Sequence, residues 1–198
     1  MFLKRLYSEP SGLFRSGKPE HPHTIVFKEG FNFIFGKKDE GETIKKDDAL
    51  NGLGKSTVCD LIDFCLLADF NKNSRFFKLN QRLEDYTIVL EFEANNKTYI
   101  IKRSVKDHLL VMLEVTGEEV ELDIKGAKNK LLNIVFDNPN YSGVLKELSY
   151  RTLMTFFMKI HRKKNAKGEF SDPINFLTSN NALYELLPYH FFLLGFDN

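Results

Sequence analysis

Residues 49–57 read Ala49-Leu50-Asn51-Gly52-Leu53-Gly54-Lys55-Ser56-Thr57, and the chain then runs on into Val58-Cys59-Asp60-Leu61-Ile62-Asp63-Phe64-Cys65-Leu66. In the second piece Val58, Leu61, Ile62, Cys65 and Leu66 recur on one helical face, which predicts a helix over residues 56–67. The first piece carries the end of the phosphate-loop pattern G-x-x-x-x-G-K-[ST], with Gly54, Lys55 and Ser56 in its last three positions and Ala49 where the first glycine would stand. These residue types have a physical reason to sit together. A polyphosphate needs several N–H donors converging on it with no side chain in the way, and Gly52 and Gly54 let the backbone approach closely. A helix starting near Lys55 adds unpaired N–H groups and its positive dipole end. In that arrangement Lys55 reaches the β- and γ-phosphates as a point charge, the Ser56 hydroxyl is a magnesium ligand, and Thr57 donates to the α-phosphate. Asn51, Gly52, Leu53, Gly54, Lys55, Ser56 and Thr57 are therefore the candidate nucleotide-binding residues, with ATP and Mg as the implied cofactors.

Upstream, strands are predicted at residues 2–7, at Thr24-Ile25-Val26-Phe27 and at Phe31-Asn32-Phe33-Ile34-Phe35-Gly36. Between the last of these and the phosphate-loop pattern lie residues 37–48, where four lysines meet five carboxylates around a single apolar residue, Ile44. That composition predicts a solvated loop. Downstream, residues 69–82 read as a long polar loop. Residues 86–93 and 98–105 follow as two strands joined by the turn Asn95-Asn96-Lys97. Residues 109–115 and 120–122 continue the strands around Thr116-Gly117, and helices are predicted at 125–136, at 150–162 behind the N-cap Ser149, and at 183–196.

Composition sets the outer limits. The chain has 198 residues, 42% of them hydrophobic and 28% charged, which suits one globular domain with a buried core. A net charge of +1 gives no global field that would draw the molecule to nucleic acid or membrane. No apolar run approaches the roughly 18 residues of a membrane span. Two cysteines, Cys59 and Cys65, are too few for a disulfide framework and six apart on a predicted helix, so a cytoplasmic setting is the expectation. The five histidines are scattered without zinc-ligand spacing.

The run N-G-x-G-K-S-T, with F-K-E-G-F-N-F-I-F-G before it and L-I-D-F-C-L after it, resembles the N-terminal lobe of ABC-type ATPase heads of the SMC/RecN kind. The strand pair V-L-E-F and Y-I-I-K-R resembles their antiparallel subdomain. S-Y-R at Ser149 and F-L-L-G-F-D at the end resemble the YydD-like bacterial branch. The resemblance implies an α/β P-loop NTPase lobe with a mixed sheet, an antiparallel β-hairpin subdomain and C-terminal helices. Its parts would be a phosphate-loop core over 1–68, the β subdomain over 84–123 and a helical part over 124–198. Such heads also carry an L-S-G-G-like signature and a Walker B run ending in Asp-Glu. Neither occurs here, and the single glutamine, Gln81, precedes the strand pair. The chain thus reads as one lobe of a longer or truncated protein, binding ATP but assigned no catalytic residue of its own. Its implied partners are a C-terminal lobe or a second head, a homodimer being one form of the latter, and its implied setting is DNA-related or phage-defence work.

Two other readings stay open at this level. A self-contained, kinase-like P-loop enzyme would turn ATP over with an acceptor. An interaction module with a vestigial loop would bind no nucleotide. Separately, Lys159, Arg162, Lys163, Lys164 and Lys167 fall within nine residues that hold no carboxylate; the cluster reads first as a solvated helix end, with nucleic-acid phosphate as the alternative contact.

Overall fold

Asn95 and Asn96, at φ 49° and 58°, close the hairpin on which the sheet is built. Both central positions of such a two-residue turn need positive φ, which asparagine tolerates better than most residues. Thr116 and Gly117, at φ 51° and 87°, repeat the device one hairpin later. The computed structural model describes residues 1–15, 19–35, 55–70, 77, 80–136, 149–158, 189 and 192–193. Its strands are β1 (Phe2–Glu9), β2 (Ile25–Val26), β3 (Thr87–Ala94), β4 (Lys97–Ser104), β5 (Leu110–Val115) and β6 (Glu118–Asp123). Its helices are α1 (Lys55–Cys65), α2 (Asn80–Leu83), α3 (Ile124–Phe136) and α4 (Tyr150–Phe157). The chain divides into a unit of Met1–Asp123 and a unit of Ile124–Asn198.

In the first unit the six strands form one sheet in the order β2-β1-β3-β4-β5-β6. Each neighbouring pair is antiparallel. The expected mixed sheet is therefore corrected: among the described residues it is wholly antiparallel. The reason lies in the connections. β3 to β6 follow one another through short turns, and a short turn can only reverse the chain, whereas a parallel neighbour needs a crossover of a dozen residues or more.

One apolar row crosses all six strands: Ile25 opposes Leu6, Leu6 opposes Leu90, Leu90 opposes Ile101, Ile101 opposes Leu113, and Leu113 opposes Val120. Leu6, Leu90, Ile101 and Leu113 are buried; the row emerges at its two ends, with Ile25 half-buried and Val120 exposed. The same face carries Ile88, Phe92 and Tyr99, the last two stacked at 5.3 Å. The opposite face is held by charge: Lys4 pairs with Glu93, Arg5 with Glu91, and Lys102 with Glu114 and Glu119. Pairs this exposed contribute roughly 0–1 kcal/mol each, so the apolar face and the ladder carry the sheet. At the outer edge β6 holds Glu118, Glu119, Glu121 and Asp123 in six positions.

The strand predicted at Phe31-Asn32-Phe33-Ile34-Phe35 does not form. Asn32 instead folds back on the loop, its Oδ1 accepting from the Lys28 N–H at 2.8 Å and its Nδ2 donating to the Lys28 carbonyl at 2.7 Å. Gly30, at φ 81°, makes that turn. A strand needs a ladder neighbour, and among the described residues none pairs with this segment, leaving Phe31, Phe33 and Phe35 at 94, 76 and 84% exposure. A short helix, α2, lies within the stretch expected to be all loop. The charged stretch 37–48 and the helix predicted over 183–196 fall outside the described residues, save for 189, 192 and 193 in the latter.

In the second unit, Ala127, Leu131 and Ile134 recur on one side of α3 and are buried. Ser149 caps α4, its side chain accepting from the Thr152 N–H. This is the N-cap role read for it in the sequence. The Phe136 ring lies 6.4 Å from Tyr150, 5.9 Å from Phe157 and 6.2 Å from Phe192.

The C-terminal end of α1 closes on Leu67, whose backbone sits at φ 64° although its side chain is fully buried. The Ala68 N–H bonds back to the Asp63 carbonyl and the Leu67 N–H to the Phe64 carbonyl, the paired bonds of a Schellman ending. A left-handed leucine costs about 1–2 kcal/mol, and emptying a buried leucine site costs about 2–5 kcal/mol. We therefore expect Leu67→Gly to relieve the backbone but lower stability overall, by about 1–3 kcal/mol in urea unfolding. A gain in stability would show that the backbone strain outweighs the packing.

Candidate functional site

α1 begins at Lys55, the lysine of the phosphate-loop pattern. The first-turn N–H groups of a helix have no partner within it. They belong here to the segment opened by Lys55, Ser56 and Thr57, and no acidic residue stands in that turn to offset the positive dipole end. For Lys55 and Ser56 the structure describes the backbone alone; Thr57 is half-buried. Asn51, Gly52, Leu53 and Gly54 lie outside the described residues, as do Lys159, Arg162, Lys163, Lys164 and Lys167.

From Asp60 onward α1 is buried. Every residue from 60 to 68 is buried, including Asp60 and Asp63, and both of these acids are partnered. The Cys65 thiol points at the Ile88 carbonyl of β3 at 3.7 Å. Opposite Ile88 in the ladder stands Arg103 of β4. Arg103 is 2% exposed, and its guanidinium spreads donors over three carbonyls. Nη1 donates to Phe64 at 2.7 Å and to Ala68 at 3.0 Å, while Nε donates to His108 at 2.8 Å. Its carbon lies 4.2 Å from the centre of the Phe64 ring. A buried charge is tolerated only when its donors are met. Here they meet the end of α1, where carbonyls lack helical partners and the dipole is negative. Phe70 completes the surroundings, edge-on to Phe64 at 5.4 Å and to the His108 ring at 4.8 Å.

Sequence reasoning did not single out Arg103. A signal was present: Tyr99, Ile101 and Arg103 alternate along β4, so a period of two turns the arginine to the apolar side. Among the described residues no group of three His, Cys, Asp or Glu side chains is set to hold a metal ion. Nor is any described helix long and apolar enough to cross a membrane.

The two cysteines of α1 make no disulfide and differ sharply in setting, Cys59 exposed and Cys65 buried. Burial first of all pushes the Cys65 thiol up from its usual 9.0 to about 12, against the lowering influence of Arg103. The folded protein thus holds this proton more tightly than the unfolded chain does. Its stabilising contribution is complete below about pH 9, where both states are protonated, and is lost as the pH rises toward about 12. We expect one thiol per native chain to react quickly with a thiol reagent at pH 8 and the second to react on unfolding. We also expect Cys65→Ala to flatten the fall in stability above pH 9. Two equally fast thiols in the native protein would contradict the buried setting of Cys65.

A helix that starts at Lys55 on an antiparallel sheet is a geometry that other proteins can be compared with. No curated protein matches the chain. The family comparison does: residues 14–182 match the AAA domain, a span that takes in the phosphate-loop pattern, α1, the sheet from β2 onward, α3 and α4. The chain therefore belongs to the AAA-domain family and is an ATP-binding protein of the P-loop ATPase type.

Proposed function

We propose that this protein is the N-terminal lobe of an SMC/RecN-like ATPase head, of the YydD-like branch, and that it binds ATP with magnesium at residues 51–57. The observation that carries the nucleotide reading is the start of α1 at Lys55, with no acid in its first turn. Backbone donors, positive dipole end and an N-G-x-G-K-S-T sequence coincide there, and the donor set suits a polyphosphate. Asn51, Gly52, Leu53 and Gly54 would cradle the phosphates with their N–H groups. Lys55 would neutralise the β- and γ-phosphates, and Thr57 would donate to the α-phosphate. Ser56 would be a ligand to magnesium, which when bound neutralises charge on the phosphate oxygens. Hydrolysis also needs a positioned water and charge stabilisation at the γ-phosphate. In this reading both come from a C-terminal lobe with the Asp-Glu and L-S-G-G elements, in the same polypeptide or in a second head. The cellular work would be DNA-related or phage defence in the cytoplasm. Lys159, Arg162, Lys163, Lys164 and Lys167 would then be the surface offered to nucleic acid.

Calorimetric titration with ATP and magnesium tests the site. We expect Lys55→Ala to abolish binding while changing stability by no more than about 0.5 kcal/mol. Equal affinities in the two proteins would sink the assignment.

A second expectation concerns turnover. A missing charge-stabilising or water-positioning group costs on the order of 10³–10⁵ in rate. We expect the chain by itself to bind ATP and to release phosphate far more slowly than competent enzymes do. Release at about 1 s⁻¹ or faster, lost in Lys55→Ala, would promote a self-contained enzyme over the single-lobe reading.

A further inference from the structure

We propose that Arg103 is a positioning residue of the nucleotide site, acting through α1 from the end remote from the phosphates. The inference rests on the nucleotide reading of residues 51–57 given above. α1 has 11 residues and so is about 16 Å long. Its N-terminal turn holds Lys55 and Ser56, and its C-terminal turn is held by Arg103. A helix this short moves as one body. A shift at its foot, along the axis or about it, is delivered to the first turn, where phosphate binding depends on the aim of N–H groups.

The anchoring has the form that such a task requires. Arg103 is fixed in β4, inside the ladder and opposite Ile88, so its own backbone cannot drift. Two of its donor bonds come from one nitrogen, Nη1, which bridges the carbonyl of Phe64 inside the helix and that of Ala68 beyond its end. A third goes from Nε to the His108 carbonyl, so the turn between β4 and β5 is tied to the same group. The Phe64 ring lies under the guanidinium and prevents rotation of the helix without loss of that contact. The left-handed Leu67 sits between the two bridged carbonyls, so the bond to Ala68 also holds the chain reversal in place. Lysine cannot replace this arrangement. Its single ammonium can serve the Phe64 and Ala68 carbonyls but cannot reproduce the planar fork that also reaches His108.

The test uses the full chain with Mg-ATP as the probe, titrated calorimetrically at a temperature where each variant is folded by circular dichroism. The proteins are the wild type, Arg103→Met, Arg103→Lys and Leu113→Ala, the last being a core truncation on β5 that removes packing and leaves Arg103 in place. We expect about one site per folded chain in all four. The dissociation constant should rise about tenfold or more in Arg103→Met, less in Arg103→Lys, and stay at the wild-type value in Leu113→Ala. A purely structural role would instead lower the number of sites with the affinity unchanged, or would raise the constant equally in Arg103→Met and Leu113→Ala; either result overturns the proposal. If Arg103→Met does not fold, Arg103→Lys decides: wild-type affinity in it overturns the proposal and an intermediate affinity supports it. Failure of the wild type to bind Mg-ATP at all would overturn the nucleotide reading itself, an outcome distinct from a wild type that binds and an Arg103→Met that binds equally well.

Discussion

Register is the constraint on which the first unit depends. The row from Ile25 through Leu6, Leu90, Ile101 and Leu113 to Val120 puts one apolar residue from each strand at the same level. A slip of one residue in any strand would send its apolar set to the other face and bring charged side chains into the core. The ion pairs of the outer face reinforce the same alignment, since Lys102 reaches Glu114 on β5 and Glu119 on β6 only in this register. The two turns with positive φ at both central residues make the alternative loop lengths costly. Sheet face, turn chemistry and surface charge therefore agree, which is what makes a sequence specify one pairing.

The helix that bears the phosphate-loop residues is subordinate to this sheet. α1 is buried along most of its length and lies against β3 and β4, with Cys65 at the Ile88 carbonyl and Phe64 under Arg103. Its two ends follow opposite rules. The first turn has no acid to offset its positive end; the last turn meets a cation and a Schellman reversal, so its negative end is met by charge and by hydrogen bonds. A group that binds at the first turn therefore meets a helix whose other end is already fixed.

Most of the elements were legible in the sequence, for local reasons. The helix at residues 56–67, the turn at Asn95-Asn96 and the cap at Ser149 are each determined within a few residues by periodicity, positive φ or a short hydrogen bond. What was not legible depends on partners distant in sequence. Phe31-Asn32-Phe33-Ile34-Phe35 has strand composition, yet a strand requires a neighbour, and Asn32 bonds within its own loop instead. The all-antiparallel order was obscured because the phosphate-loop resemblance carries a mixed sheet with it. In the sequence Arg103 is simply the last residue of the Y-I-I-K-R run. Only the fold, by bringing Phe64 and Ala68 across 39 and 35 residues, turns it into the foot of a helix. Of the candidate site, the chemistry of residues 51–57 was readable in the sequence, and the structure adds the start of a helix at Lys55.

The acidic outer strand has a consequence for how copies of this protein meet. β6 has four carboxylates in six residues, and a second β6 laid against it would bring like charges within a strand spacing of one another. At the other margin, among the described residues, β2 pairs with only Arg5 and Leu6 of the eight-residue β1. Among the described residues, the β6 margin is a poor template for adding a strand, so the sheet is guarded there against growing from chain to chain into a fibre. Any contact between copies at β6 would fall to side chains, where shape and charge discriminate one partner from another in a way that a bare backbone edge does not.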